Sequence, residues 1–277
     1  MAAFGMDEWV LLTSQKGKKW LVKIEEGPYS SHLGTIDMRE IPGKEEGEYV
    51  ETNKGAKIFL FRPTLEDYIF KMKRHTQIIY PKDLGAIVFY GDIAPGETVL
   101  ESGMGAGALT LTLLRAVGDR GRVISVEKRP EFAALALENI ARFHGCRPPN
   151  LDIVVADIQD FSMTARVNRI FLDLPEPWHA IRSLGRIITE GGLLVSLSPN
   201  VGQVQLMYRE LKARSFANIS TFEILRREWK FDEIRARPND RMIGHTGFIT
   251  VAKKVVQPPP EVPSAADISF EADRELS

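Results

Sequence analysis

Glycine occupies every second position of a short loop at residues 103–107, between an apolar run typical of a strand and an amphipathic run typical of a helix. Glycines at such a turn let the backbone approach a ligand closely, and the first N–H groups of the helix are free to bind it. Acidic residues end the next two predicted strands: Glu127, 20 residues after Gly107, and Asp157. The first carboxylate suits the hydroxyls of a ribose, and the second can reach the edge of an adenine. The spacing predicts a site for a nucleoside-containing cofactor.

A further acidic residue, Asp173, closes the fourth predicted strand in the run LDLPEPW at residues 172–178. This places Asp173 at the carboxyl edge of the predicted sheet, where open α/β sheets bind their ligands. The two prolines remove N–H donors and stiffen the turn, and Trp178 adds a flat apolar surface. Two interpretations follow: Asp173 caps a helix in a rigid strand-to-helix connection, or its carboxylate contacts a bound ligand.

These side chains need a framework of alternating strands and helices, and the pattern from about residue 83 supplies one. Apolar runs predict strands at 98–101, 123–127, 153–156, 170–174, 193–197 and 247–254. Amphipathic runs predict helices at 108–117, 131–143, 179–189 and 201–215. Strands that alternate with helices of this length predict an α/β fold with a doubly wound, parallel sheet.

The sequence before residue 70 has a different pattern of apolar and polar residues. The runs WVLL, WLVKI, GTIDM, EYVET and KIFLF predict short strands separated by Gly, Pro and charged turns. We therefore divide the sequence into a β-rich domain (1–70), the α/β domain (71–256) and a Pro-rich acidic tail (257–277) that is expected to be disordered.

Composition limits the function classes. The 277 residues include 44% hydrophobic and 26% charged ones, as in ordinary globular proteins. No apolar run approaches the ~18 residues of a membrane helix, and the first residues do not resemble a signal peptide. The single cysteine, Cys146, excludes an internal disulfide, and the five histidines lack metal-ligand spacing. We expect a cytoplasmic protein with neither a membrane span nor a metal.

Charge is unevenly distributed. The formal net charge is −1, but the tail holds five acidic residues and one basic residue, so the rest of the chain is +3. Residues 209–241 contain nine basic residues against six acidic ones. This excess permits nucleic-acid binding and equally describes a solvated surface.

The glycine loop has the spacing GxGxG and is introduced by Glu101, whereas dinucleotide sites favour GxGxxG. This pattern resembles the class I S-adenosylmethionine-dependent methyltransferases. Four runs in order make the resemblance narrower: QIIYPKD at 77–83, ESGMGAGALT at 101–110, LDLPEPW, and GHTGF at 244–248. Together they resemble the tRNA adenine-58 N1-methyltransferases of the TrmI type. Ser102 and Ala106 depart from the commoner Ala and Ser of that loop.

The resemblance implies a Rossmann-like class I methyltransferase domain with a seven-stranded, mostly parallel sheet whose final strand is antiparallel, preceded by a small β-rich domain. It also implies methyl transfer from S-adenosylmethionine to N1 of adenine 58 in the T-loop of tRNA, carried out by a homotetramer.

The resemblance further implies roles for individual residues. Asp173 is the catalytic candidate, accepting a hydrogen bond from the exocyclic amine of adenine. Tyr80 either stacks on the substrate base or is a structural aromatic, and Phe132 either packs on the cofactor or belongs to the core. His245 is expected to be structural. The residues expected to border the cofactor are Ile79, Ser102, Gly103, Met104, Gly105, Ala106, Gly107, Ala108, Glu127, Phe132, Asp157, Ile158 and Asp173.

Basic side chains would meet the phosphates of the RNA, and each is equally well explained as an ordinary surface charge. The candidates are Lys82, Arg226, Arg227, Arg235, Arg237 and Arg241.

Three rival functions remain open from the sequence. The first is a methyltransferase for a protein or small molecule, which the Asp173 motif and the β-rich domain disfavour. The second is a dinucleotide oxidoreductase, which the GxGxG spacing disfavours. The third is a non-catalytic RNA-binding subunit, which is expected to lack the glycine loop and the motif carboxylate, although both are present here.

Overall fold

A computed structural model describes residues 3–256 of the chain. The predicted acidic tail at 257–277 lies outside the described residues. Within the described part, no helix combines the length and the apolar character needed to cross a membrane.

The N-terminal part is built from short antiparallel strands. They are β1 (Trp9–Ser14), β2 (Lys19–Lys23), β3 (Pro28–Ser31), β4 (Gly34–Asp37), β5 (Tyr49–Glu51) and β6 (Lys57–Phe61). Four of them form a sheet in the order β2-β1-β6-β5, and β3 pairs with β4 as a separate hairpin. Alternate residues such as Val10, Leu12, Ile58 and Leu60 point into a shared apolar core, as expected for strands with one buried face. The predicted β-rich character of this region is confirmed.

Two helices connect this part to the rest of the chain: α1 (Leu65–Lys71) and α2 (Pro81–Tyr90). Helix α1 begins with a capping box, because Thr64 and Asp67 each accept a hydrogen bond from the other's backbone N–H. The Tyr68 hydroxyl donates to the Asn139 carbonyl at 2.8 Å, which attaches α1 to the larger domain.

The larger domain contains a seven-stranded sheet with helices between its strands. Its elements are β7 (Thr98–Ser102), α3 (Ala108–Val117), β8 (Arg122–Glu127), α4 (Pro130–His144), β9 (Leu151–Val155), β10 (Val167–Leu172), α5 (Ile181–Ile187), β11 (Ile188–Ser198), α6 (Val201–Ala213), β12 (Phe216–Phe222), β13 (Trp229–Phe231), β14 (Ala236–Pro238) and β15 (Phe248–Lys254). The strand order is β12-β15-β11-β10-β7-β8-β9, and β13 pairs with β14 in a separate hairpin.

Only β15 runs antiparallel to its neighbours, β11 and β12, so the Rossmann-like sheet with an antiparallel final strand is confirmed. The chain leaves β7 toward β8 on one side and later returns to place β10 on the other. This reversal is a topological switch point, and its carboxyl edge is where ligands of such sheets bind.

Two predicted elements differ from the structure. The strand predicted at 170–174 ends at Leu172, because the proline-containing loop starts directly after it. The helix predicted at 179–189 is a 3-10 turn (Pro177–Ala180) followed by the short α5, and β11 already begins at Ile188. Adjacent β-branched isoleucines at 187 and 188 favour this early change to extended backbone.

Candidate active site

The glycine loop between β7 and α3 takes a backbone course that requires glycine. Gly103, Gly105 and Gly107 have φ angles of 93°, 54° and 91°, in the left-handed region that residues with a Cβ avoid. Gly107 is the residue that precedes α3, and no side chain caps that helix end. A Cβ added to Gly107 would stand 3.4 Å from Ala136, so α3 and α4 pack closely here.

The loop after β10 lies directly against this glycine loop. The Asp173 N–H donates to the Ser102 carbonyl at 3.0 Å, which continues the pairing of the two strands past their ends. The Ser102 hydroxyl turns the other way and donates to the Val126 carbonyl at 3.2 Å, so Ser102 is buried beneath the loop. Asp173 is therefore placed at the switch point.

A cavity of about 730 Å³ opens at this edge of the sheet. Eight of the residues predicted to border the cofactor line it: Ile79, Gly103, Met104, Gly105, Ala106, Ala108, Glu127 and Asp173. Several lining residues were not predicted, among them Thr76, Lys128, Arg129, Pro199, Gln203 and Thr246. Pro199 directly follows β11. Because the carboxyl ends of parallel strands carry the ligand site in such sheets, this position could have been used to predict Pro199 as a lining residue.

Glu127 is held at the end of β8 by main-chain donors. Its carboxylate accepts hydrogen bonds from the Gly105 N–H at 3.2 Å and from the Arg129 N–H at 3.0 Å. These contacts aim a charged acceptor into the cavity, next to the glycine loop. Such an acceptor can bind the hydroxyls of a ribose.

Five predicted cofactor residues lie outside the lining of this cavity: Asp157, Phe132, Ile158, Ser102 and Gly107. Asp157 contacts the Lys128 ammonium at 2.8 Å, and this hydrogen bond holds the pKa of Asp157 below its usual range. Phe132 lies under the Arg129 guanidinium, 3.6 Å from the ring centroid. Ile158 is buried in an apolar cluster that includes Val126 and Leu172. Lys128 and Arg129, the partners of the first two, do line the cavity.

Three carboxyl groups, those of Glu101, Glu127 and Asp173, lie on the cavity wall or beneath the glycine loop. Burial, with a further contribution from the Glu127 charge, raises the pKa of Asp173 to about 6. Glu101 lies fully buried under the loop, and burial raises its pKa to about 7 despite hydrogen bonds from Thr110 and Ser125. A cationic ligand would relieve the repulsion among these groups.

Tyr80 lies next to this cavity without lining it. It is the residue that precedes α2, where Pro81 takes the first helical position, as proline does without loss of a hydrogen bond. Its ring packs edge-to-face against Phe70, with the centroids 6.1 Å apart. Tyr80 lines a second, smaller cavity of about 270 Å³. The preceding residue, Ile79, lines the larger one.

Comparisons with known proteins agree with this geometry. A family model described as "tRNA methyltransferase complex GCD14 subunit" matches residues 56–236. The chain belongs to this GCD14 family. A relative from Methanocaldococcus jannaschii, named tRNA (adenine(57)-N(1)/adenine(58)-N(1))-methyltransferase TrmI, is 35% identical over 91% of this chain and 97% of its own length. A TrmI from Thermus thermophilus, named tRNA (adenine(58)-N(1))-methyltransferase, is 34% identical over 88% of this chain and 96% of its own.

Solved structures similar to this GCD14 family member include two close matches. One is a SAM-dependent O-methyltransferase from Thermotoga maritima, with a TM-score of 0.89, 35% identity and coverage of 93% of this chain and 96% of that one. The other is tRNA (m1A58) methyltransferase TrmI from Aquifex aeolicus, with a TM-score of 0.81, 30% identity and coverage of 92% and 100%. The resemblance predicted from the four sequence runs is confirmed.

In this GCD14 family member, two of those runs meet in a buried polar network. The Lys82 ammonium contacts Asp83 and the Ile224 carbonyl, each at 2.8 Å, and the Thr246 hydroxyl at 2.5 Å. The Thr246 hydroxyl in turn lies 2.6 Å from the other Asp83 oxygen. The Lys82 side chain is only 10% exposed. Lys82 is therefore held within the framework of the domain, which disfavours it as a phosphate contact and differs from the exposed surface charge that was its alternative.

His245 holds the same loop on its other side. Its ring nitrogens contact Glu223 at 2.9 Å and the Pro199 carbonyl at 2.8 Å. The hydrogen bond to Glu223 raises the pKa of His245. These contacts give His245 a structural role at the rim of the cavity.

The remaining basic candidates differ in how far they are already paired. Arg226 forms ion pairs with Glu66 and Glu228, both at 3.1 Å, and Arg237 pairs with Asp240 at 2.5 Å. Within residues 3–256, the side chains of Arg227, Arg235 and Arg241 have no such partner. No group of three or more His, Cys, Asp or Glu side chains in that range is arranged to hold a metal ion.

Proposed function

We propose that this protein transfers a methyl group from S-adenosylmethionine to N1 of adenine 58 in the T-loop of tRNA, forming 1-methyladenosine. The observation that carries the proposal is the position of Asp173. It lies on the wall of the large cavity, packed on the glycine loop, in a chain that shares its family with proteins named for this reaction.

The residues of the cavity fit the proposed methyl donor. Its volume, about 730 Å³, lies within the ~300–1,000 Å³ of typical small-molecule sites. S-adenosylmethionine supplies a methyl group on a positively charged sulfur and also carries an ammonium, and the carboxylates of Glu127 and Asp173 complement such charges. Glu127 would bind the ribose, and the 103–107 backbone leaves room for close approach. Asp157 and the backbone of Ile158 would reach the adenine after Lys128 moves aside.

The chemistry requires little more than alignment and electrostatics. The lone pair of adenine N1 forms the new bond to the methyl carbon, and the electrons of the carbon–sulfur bond leave with sulfur. Asp173 accepts a hydrogen bond from the exocyclic amine, which raises the nucleophilicity of N1 and stabilises the positive charge that develops on the ring. With a pKa of about 6, Asp173 is ionised at neutral pH, as this role demands.

The substrate base has to leave its stack before it can react. N1 lies on the Watson–Crick edge, which a paired and stacked base does not expose. Tyr80, which follows Ile79 and lines the smaller cavity, would stack on the extruded adenine. Unpaired arginines such as Arg227 and Arg235 would meet the phosphates.

We further propose that the protein works as a homotetramer in the cytoplasm. The β13–β14 hairpin exposes Trp229 by 54%, Phe231 by 75% and Ile234 by 91%. An apolar patch of this kind marks an interaction surface, and a second copy of the chain is the simplest partner. The single cysteine, Cys146, is exposed and suits a reducing compartment.

Nucleoside mass spectrometry tests the proposed reaction. Unmodified tRNA is incubated with the protein and S-adenosylmethionine, then digested, with a transcript carrying guanosine at position 58 as the control. We expect 1-methyladenosine from the first RNA and none from the second. Formation of ribose O-methylated nucleosides, or of no methylated nucleoside at all, would overturn the proposal.

A further inference from the structure

The second cavity, of about 270 Å³, lies outside the proposed methyl-donor site, and Tyr80 is the wall residue that it contributes to the reaction proposed above. Its walls include Phe70, Tyr80, Arg226, Arg241, Met242 and Ile243, and none of the three carboxyl groups of the reaction site lines it. Its volume lies at the lower end of the range for ligand sites, which suits one small planar group.

The apolar walls of this cavity suit a flat ring. Phe70 and Tyr80 pack edge-to-face at an interplanar angle of 66°, which leaves the face of one ring free of the other. Phe70, Met242 and Ile243 are 39%, 47% and 52% exposed, which is unusual for side chains of this type gathered at one place. Nucleobases stack on aromatic faces, and this stacking is largely independent of base identity.

The charged walls suit a phosphate next to that ring. Arg241 has no hydrogen-bond or ion-pair partner among residues 3–256, so its guanidinium is available. Glu228 also lines the cavity; it shares the Arg226 guanidinium with Glu66, each at 3.1 Å, and accepts a hydrogen bond from Asn239 at 3.0 Å. Among the basic wall residues, Arg241 alone has no carboxylate partner within the described part of the chain.

The two cavities are separated by a single step of the chain, because Ile79 lines the larger one and the next residue, Tyr80, lines the smaller one. We propose that the smaller cavity is a subsite for the nucleotide adjacent to the methylated adenine, with Phe70 stacking on its base and Arg241 binding its phosphate. The inference rests on the proposed function, since it assumes an RNA substrate whose target base enters the larger cavity. The subsite binds the neighbouring base whichever of the four bases it is, so activity depends on the presence of that base and little on its identity.

A double-mutant cycle tests the subsite. T-arm RNA is prepared intact, with an abasic residue on the 5′ side of the target adenine, and with one on its 3′ side. We expect one of the two abasic RNAs to lower kcat/KM of the wild-type protein by about tenfold, within the range known for one base–aromatic stack. With Phe70→Leu, the same abasic RNA should react within about twofold of intact RNA, since the stacking partner is already absent.

Other variants separate stacking from charge and from misfolding. Met242→Ala changes an exposed wall residue and should also reduce the loss of kcat/KM that the abasic RNA causes. Phe61→Leu changes an exposed aromatic of β6 outside the cavity and should show this loss in full. Arg241→Ala should lessen the dependence of log KM on log salt by about one unit. Substitution of the neighbouring base by another base should change kcat/KM by less than about threefold.

The outcomes distinguish the subsite from the reaction itself. Failure to methylate intact RNA would overturn the proposed function. Methylation of both abasic RNAs at the wild-type rate, or full abasic sensitivity in Phe70→Leu and Met242→Ala, would overturn the subsite while leaving the proposed function intact.

Discussion

Gly103 and Asp173 are in contact through their backbones, so closely that a Cβ added to Gly103 would stand 2.1 Å from the Asp173 carbonyl oxygen. The absence of a side chain at Gly103 thus lets the loop after β10 lie on the glycine loop. The two sequence motifs are one packed unit, and the position of the Asp173 carboxylate depends on residue 103.

The first prediction concerns Gly103→Ala. The new methyl group would clash with the Asp173 carbonyl, and the φ of 93° would be strained for alanine. We expect the free energy of unfolding to fall by about 1–3 kcal/mol and the methylation rate to fall at least about tenfold. Denaturant titration and a methylation assay measure both. The control is Gly85→Ala in α2, where a Cβ meets nothing within 4 Å and should stabilise the helix by up to about 1 kcal/mol. Equal stability and equal methylation rates in the two variants would show that residue 103 does not position Asp173.

The second prediction concerns pH. Burial raises the pKa of Asp173 to about 6, so this carboxyl group keeps its proton below pH 6 and is ionised above it. In the proposed mechanism the ionised form is the active one, so kcat/KM should be flat above about pH 7 and fall about tenfold per pH unit at low pH. The Glu127 charge contributes to the raised pKa, so Glu127→Gln should move the inflection to lower pH. A wild-type profile that stays flat down to pH 5 would contradict the assignment.

The third prediction concerns the affinity for S-adenosylmethionine. Glu127→Gln removes a charged acceptor from the cavity wall, and hydrogen bonds to charged groups contribute about 1.5–3 kcal/mol, so Kd should rise roughly 10- to 150-fold. Isothermal titration calorimetry measures this directly. Glu131→Gln, an exposed change in α4, is the matched control and should leave Kd unchanged. Equal affinities in the two variants would exclude Glu127 from the binding site.

The fourth prediction concerns the network between the 77–83 and 244–248 runs. Thr246→Val keeps the shape of the side chain and removes the hydroxyl that contacts both Lys82 and Asp83. Buried polar groups that lose a partner cost about 1–3 kcal/mol, so the free energy of unfolding should fall by that amount. Thr246→Ser restores the hydroxyl and should recover most of the loss. A Val variant as stable as wild type would mean that the hydroxyl does not matter there.

The sequence was sufficient to predict the parts of the site that follow strand ends. Gly103, Glu127 and Asp173 each come after a strongly apolar run, and parallel strands bring their carboxyl ends to one edge. Pro199 and Thr246 reach the same cavity because β11 lies beside β10 and β15 lies beside β11 in the sheet order, which no local pattern specifies.

The sequence was less informative about long charged side chains. Lysines are usually exposed, so Lys82 was expected at the surface, yet Asp83 neutralises its charge and the Thr246 hydroxyl accepts a hydrogen bond from it. Asp157 and Phe132 were expected beside the cofactor, while Lys128 and Arg129 occupy the positions next to them. Such pairings are set by tertiary packing.

The central claim, that Asp173 promotes methyl transfer to adenine N1 in the cavity beside the glycine loop, is tested most directly by single-turnover kinetics of Asp173→Asn. The rate of 1-methyladenosine formation in unmodified tRNA is measured with saturating S-adenosylmethionine, and donor binding is measured in the same samples. We predict a loss of about 10²- to 10⁴-fold in rate, the range expected when an aligned charged group is removed, with donor binding largely retained. A variant that forms 1-methyladenosine at the wild-type rate would contradict the account.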